Sequence, residues 1–262
     1  RLEECKSILQ TFAKYEHHGL LPNLFPEGDV EPMYNSVDAP LLFINAVYEY
    51  IQTSKDNAFL QEVWDVLKRI MTAYEKGTDY HIGMDSDCLI QAGADLEQLT
   101  WMDVRVGNYL PTPRHGKPVE INAYWYNDLE IMKQFALLQQ DNELAQHYAE
   151  LADKVKEAFL LKFWNEEENC LKDVLSENSE ENQVRCNQVW VLSMPYTMLP
   201  KEKELCVLHK IKEELYTTAG LRTLSPKDSA FHDIYIGETE HIIREQYGHS
   251  HWALITVPGL SI

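Results

Sequence analysis

At 262 residues the chain is long enough to bury a sizeable core, as one large domain or two small ones. Its formal charge of −19 argues against nucleic-acid phosphate as a partner and leaves an uncharged ligand unaffected. No apolar run approaches the roughly 18 residues that span a bilayer, and no signal peptide is visible.

Helical periodicity runs almost throughout. Leu2 to Tyr15 is a first helical stretch, and Gly19-Leu20-Leu21-Pro22-Asn23 follows it. Tyr34-Asn35-Ser36-Val37-Asp38-Ala39 leads into a helix marked by Leu41, Ile44, Tyr48 and Ile51. Phe59, Val63, Leu67, Ile70 and Tyr74 mark the next, with Asp56 as its N-cap and Gly77 as its stop. A long connection then runs from Gly77 to Pro118, in which Tyr80 to Gly83 is expected to form a short strand. A loop of that length inside a compact domain is functional or disordered, and its aromatic and β-branched content favours function. Ile121, Trp125, Leu129 and Met132 mark a third amphipathic helix, and Leu144, Tyr148, Leu151, Val155 and Phe159 a fourth. A fifth starts near Asn187, and Leu205, Leu208, Ile211 and Leu215 mark a sixth.

The links at residues 53–56 and 139–142 are short, which makes antiparallel neighbours and gives an αα-hairpin as the unit. Helices beginning near Asp38, Val119 and Asn187 carry motifs at their N-terminal edges, whereas those near Asn57, Asn142 and Lys201 are plain. This alternation predicts an inner and an outer ring, with function at the inner N-terminal ends, where free N–H groups and positive dipole ends face a ligand. An all-α (α/α)6 toroid has this layout. No composition break or linker divides the chain, so residues 1–262 read as a single domain. The first residue is Arg1, and the chain reads as a piece or processed form of something longer.

Cysteines stand at 5, 88, 170, 186 and 206. Their odd number and the lack of a CxxC read as reduced thiols in a cytoplasmic protein. Asp85-Ser86-Asp87 lacks the Gly and downstream Glu of a calcium loop. No metal and no cofactor is expected.

The densest chemistry lies between Gln98 and Asn127. Asp103 sits beside Trp101; a Thr112-Pro113-Arg114 turn, Lys117, Glu120, Asn122, Trp125 and Tyr126 follow. Carboxylates beside aromatic rings suit a sugar site: a ring stacks on a pyranose face and desolvates a nearby acid that delivers a proton. Asp103 is the candidate general acid, against an N-cap or loop salt bridge as the plain alternative. Trp101 and Trp125 are candidate stacking platforms; Trp64 reads as core. Tyr34, Asn35 and Asp38 offer hydrogen bonds to sugar hydroxyls, and Asp38 can also be an N-cap. Arg114 and Lys117 either clamp acids or sugar or neutralise loop acids. Glu120 binds a hydroxyl or satisfies the helix dipole.

Thr100-Trp101-Met102-Asp103, followed by Thr112-Pro113-Arg114-His115-Gly116-Lys117-Pro118-Val119-Glu120-Ile121, resembles the amylo-α-1,6-glucosidase domain of glycogen debranching enzymes. The pieces at Gly19 to Asn23, Tyr34 to Ala39, Arg185-Cys186-Asn187-Gln188 and Gly220 to Pro226 agree in order, so the resemblance runs from about residue 19 to about residue 237. It implies a six-hairpin (α/α)6 glycosidase fold and hydrolysis of α-1,6-linked glucose at branch points of glycogen or limit dextrin. It implies Asp103 as the acid, and it adds Asn122 and Gln188 as substrate-binding positions. Cys88 stands where the family usually has Gly.

The resemblance also implies that the first helices of the toroid are missing, and the tail from Tyr247 lacks the family's ending. The second carboxylate belongs to this C-terminal part, with Glu238, Glu240 and Glu245 as local candidates; Glu238 or Glu245 would complete an inverting pair, about 6.5–9.5 Å apart. Seven or eight helices of twelve leave an incomplete ring, whose apolar inner face the rest of a longer chain or a second copy would cover. Two other readings stay open: another (α/α)6 glycosidase of trehalase or α-glucosidase type, and a catalytically inactive glucan-binding fragment.

Overall fold

Local capping chemistry sets the helix boundaries of this computed structural model, which describes residues 1–28, 30–176, 180–232 and 252–253. The helices are α1 (Leu2–Lys14), α2 (Ala39–Ser54), α3 (Asn57–Lys76), α4 (Val119–Leu138), α5 (Asn142–Lys162), α6 (Trp190–Ser193) and α7 (Lys201–Lys210). Asp56 Oδ1 accepts from the Phe59 amide at 3.0 Å and starts α3, which Gly77 ends at φ +93°. Asp141 caps α5 in the same way through the Leu144 amide at 3.0 Å. Asp38 occupies the N-cap position of α2 without making the capping bond; Ser36 Oγ takes the Ala39 amide instead, at 3.1 Å.

Two tight turns make two hairpins. Lys55, at φ +59°, and Asp56 join α2 to α3. Gln139 to Asp141 join α4 to α5, with Gln140 at φ +61°. α3 and α5 bury one stripe each: Phe59, Val63, Leu67, Ile70 and Tyr74 on α3, and Tyr148, Leu151, Val155 and Phe159 on α5. α4 differs from the amphipathic helix its periodicity predicts. Every residue from Val119 to Leu129 is buried, and it packs on α2, α5 and α6. The first three turns of α4 are covered on all sides and lie in the core, whereas its last turns expose Gln134, Leu137 and Leu138.

The helix expected near Asn187 is shorter than predicted. A 3₁₀ turn at Cys186–Val189 leads into the four residues of α6. Met194 then turns extended ahead of Pro195, whose ring disfavours helical geometry in the residue before it. α7 passes into a π-helical turn at Ile211–Leu215.

Strands are small and serve as clasps. β1 (Gly83–Met84) pairs antiparallel with β2 (Ile90–Gln91). The strand expected at Tyr80 to Gly83 is displaced, because Tyr80 and His81 take left-handed φ values of 59° and 57° in a turn. β3 (Lys117–Pro118) pairs with β6 (Val174–Leu175), which pairs with β7 (Glu180–Glu181). β4 (Trp164–Asn165) pairs with β5 (Cys170–Leu171). β8 (Tyr216–Thr217) pairs with β9 (Gly220–Arg222), which also pairs with β10 (Trp252–Ala253). Among the described residues no helix is long and apolar enough to cross a membrane.

Burying the first three turns of α4 also buries their polar residues. Asp128 is fully covered; its Oδ1 accepts from Asn127 Nδ2 at 3.2 Å, and its Oδ2 has no partner among the described residues. Burial pushes its carboxyl well above the ordinary range, against the weaker pull of the Asn127 hydrogen bond. The folded chain therefore keeps a proton that the unfolded chain releases. Stability should fall as pH rises beyond the ordinary carboxylate range, by up to about 1.4 kcal/mol per pH unit, until the folded-state pKa is passed. Denaturant titrations between pH 5 and 8 should show this slope in the wild type and a flatter one in Asp128→Asn.

Candidate active site

The loop between α3 and α4 is pinned from below by the first turns of α4. Asn122 Oδ1 accepts from the Ile90 amide at 2.8 Å, while its Nδ2 donates to the carbonyls of Ile90 at 3.1 Å and Pro118 at 3.0 Å. Trp125 Nε1 donates to the Cys88 carbonyl at 3.2 Å, and its ring stacks on Tyr74 with centroids 6.2 Å apart. The Trp125 ring is enclosed by protein. Cys88 itself sits at φ +68°, a conformation that suits glycine.

Lys117 Nζ donates to Asp85 at 2.6 Å and Asp87 at 2.8 Å, and Lys162 reaches Asp87 at 2.5 Å. These two acids are thus neutralised by lysines; among the described residues no group of His, Cys, Asp and Glu could hold a metal ion. Gly116, at φ +102°, lies so close to the strand after Asp173 that a Cβ would meet the Leu175 carbonyl oxygen at 2.3 Å. Only glycine lets the loop pass there.

Beneath the loop lies a buried ionic cluster. The Arg114 guanidinium donates from Nη1 and Nη2 to the two Glu120 oxygens, the second at 2.7 Å, and from Nε to Asp173 Oδ2 at 2.9 Å. Arg114, Glu120 and Asp173 are all buried. Burial works against the guanidinium charge, but the Asp173 and Glu120 carboxylates outweigh it and hold Arg114 above its ordinary value. Asp173 passes the order on: its Oδ1 accepts from Asn187 Nδ2 at 2.8 Å, and Asn187 Oδ1 accepts from Trp101 Nε1 at 2.8 Å. Gln188 is buried beside this chain, with its side chain bonded to the Leu171 amide at 3.3 Å and the Arg185 carbonyl at 3.1 Å.

Above this layer two distant segments meet. The Val37 amide donates to the Leu99 carbonyl at 2.9 Å, and Tyr74 Oη to the Val37 carbonyl at 2.7 Å. The junction walls a cavity of about 560 Å³ that Asn35, Tyr80, Gln98, Leu99, Asp103 and Arg105 help to line. Burial raises the Asp38 carboxyl above its ordinary range; the Ser36 hydroxyl opposes the shift and the Asp103 charge adds to it. Asn35 Oδ1 and Gln98 Nε2 are buried without a hydrogen-bond partner among the described residues. Tyr34 Oη donates to the Tyr15 carbonyl at 3.0 Å.

Asp103 is exposed, and Trp101 is 39% exposed with its N–H committed to Asn187. The shielding of Asp103 anticipated from Trp101 is absent among the described residues. The structure thus brings Asn35 and Asp103 together at the cavity, while Asp38 and Trp101 lie on the same two segments without lining it. It places Arg114, Lys117, Glu120, Asn122, Trp125 and Gln188 in the support underneath. Glu238, Glu240 and Glu245 lie outside the described residues. Sequence reasoning left out Gln98, which the quoted stretch already contained, and Asp173, which no local signal marks.

The family described as amylo-alpha-1,6-glucosidase matches residues 1–255. The glycogen debranching enzyme of Saccharomyces cerevisiae is 28% identical over 180 residues, covering 47% of this chain and 12% of that protein. The mannosyl-oligosaccharide glucosidase of the same yeast is 28% identical over 109 residues, covering 38% of this chain and 13% of that protein. The chain thus spans about an eighth of the length of these curated relatives. Among solved structures, a Klebsiella oxytoca rhamnosidase with rhamnose bound superposes with a TM-score of 0.62 at 18% identity, over 81% of this chain and 38% of that one.

Proposed function

The chain belongs to the amylo-alpha-1,6-glucosidase family, and from that membership we propose that it acts on branched α-glucans as a glycoside hydrolase, releasing glucose at α-1,6 branch points of glycogen or limit dextrin. The supporting observation is the cavity that Asp103 and Asn35 line from two segments, with the half-buried Asp38 close enough to feel the Asp103 charge. In this reading Asp103 protonates the leaving oxygen, and a carboxylate from Glu238 or Glu245 activates water. Asp38, Asn35 and Tyr34 hold hydroxyls and Trp101 stacks on a ring. The reading also takes α2–α3 and α4–α5 as consecutive hairpins of an (α/α)6 toroid, with α2 and α4 inside. It keeps the protein in the cytoplasm, where five unpaired thiols stay reduced.

Incubation with a branched limit dextrin tests the proposal. Release of free glucose is the expected result. Turnover of trehalose instead would move the activity to another glycosidase class, and binding without turnover would make the chain a glucan-binding fragment. The absence of both binding and release would overturn the reading.

A further inference from the structure

A second hollow, an open groove of about 930 Å³, runs along the C-terminal half of α3 and is walled by the turn Glu16–Gly19. Its lining includes chain neighbours of the residues that line the Asp103 cavity. Asp79 lines the groove and its neighbour Tyr80 lines the cavity. Likewise the Tyr34 ring lies 5.8 Å from His17 in the groove, while Asn35 lines the cavity.

The wall is held at several points. Gly19 sits against α3 so tightly that a Cβ would meet the Ala73 Cβ at 2.1 Å. Glu16 accepts from the Gly19 amide at 2.8 Å and from Arg69 Nε at 2.5 Å. Thr78 Oγ1 donates to the His18 carbonyl at 2.7 Å. These contacts keep His18 at φ +52°, where Gly or Asn would cost less. The His17 and His18 rings stack there, 4.0 Å apart and 19° from parallel, and both residues are exposed. The two rings face each other, so the exposed pair offers a pyranose the outer face of one ring, set among polar side chains.

The charges of the groove point to a neutral ligand. Lys68 pairs with Asp65 at 2.9 Å, Arg69 with Glu16 at 2.5 Å, and His18 lies 3.5 Å from Asp79. Lys76 also lines the groove, so three cations face the three acids Glu16, Asp65 and Asp79, and a groove balanced in this way does not favour a phosphate.

We propose that this groove seats a further stretch of α-linked glucose chain continuing from the unit held at Asp103, with His17 and His18 as its stacking platform. The proposal rests on the glucan reading of the Asp103 cavity and extends it from a single glucose unit to the polymer.

Calorimetric titration of the full chain with a branched limit dextrin and with isomaltose tests it. Isomaltose is short enough to occupy the Asp103 cavity alone. His17→Ala with His18→Ala should weaken dextrin binding about tenfold and leave isomaltose binding unchanged. His18→Gly removes one ring and relieves the left-handed backbone, so it should weaken dextrin binding with an unchanged or higher melting temperature. Equal losses for both sugars, or no loss for either, would overturn the groove assignment while wild-type binding leaves the glucan reading standing. A wild-type chain that binds neither sugar would overturn both.

Discussion

Asp103→Asn should lower turnover on branched glucan about 10²–10⁴-fold, the usual contribution of a positioned general acid, with glucan binding and melting temperature nearly unchanged. Asparagine keeps the shape and the hydrogen bonds of the side chain but has no proton to give. Stability should be spared because Asp103 is exposed on its loop, while the loop is held by Trp101, Arg114 and the Val37–Leu99 contact. The assay requires a form of the protein that turns over glucan. Turnover near wild type would remove Asp103 from the chemistry. A large fall in melting temperature would make it a brace for the loop.

The second large effect is on stability. Arg114→Met should cost about 3–5 kcal/mol, because it leaves the buried Glu120 carboxylate without its cation and Asp173 with only the longer Arg185 contact at 3.9 Å. That is a large part of the total stability of an ordinary domain. Adding Glu120→Gln to Arg114→Met should restore part of the loss, since one of the stranded charges is then gone. Denaturant unfolding of the single and double variants measures both. A loss below about 1 kcal/mol, together with weaker glucan binding, would instead assign Arg114 to the sugar.

Legibility from sequence followed the range of the interaction. α3 and α5 could be read because each shows one face to water, so the spacing of Phe59, Val63 and Leu67, or of Tyr148, Leu151 and Val155, carries the whole message. α4 has polar residues where an outer face would be, and nothing local says that Glu120, Asn122, Asn127 and Asp128 are buried. The coming together of Asn35 with Asp103 was foreshadowed, since both lie in segments that read as sugar-binding. The supporting layer was not. Arg114 finds Asp173 across 59 residues and Trp101 finds Asn187 across 86, and no periodicity spans such distances.

Those separations set a clock on how the site is made. On the ribosome, chain emerges at about 5–20 residues per second. The 86 residues between Trp101 and its Asn187 partner therefore take roughly 4–17 s to appear, far longer than a local helix needs to form. Through that interval α2, α3 and the early turns of α4 can settle, while the segment bearing Asp103 waits without its anchor. The segment that carries the candidate acid is written in the first half of the chain and is locked into place only when the second half arrives.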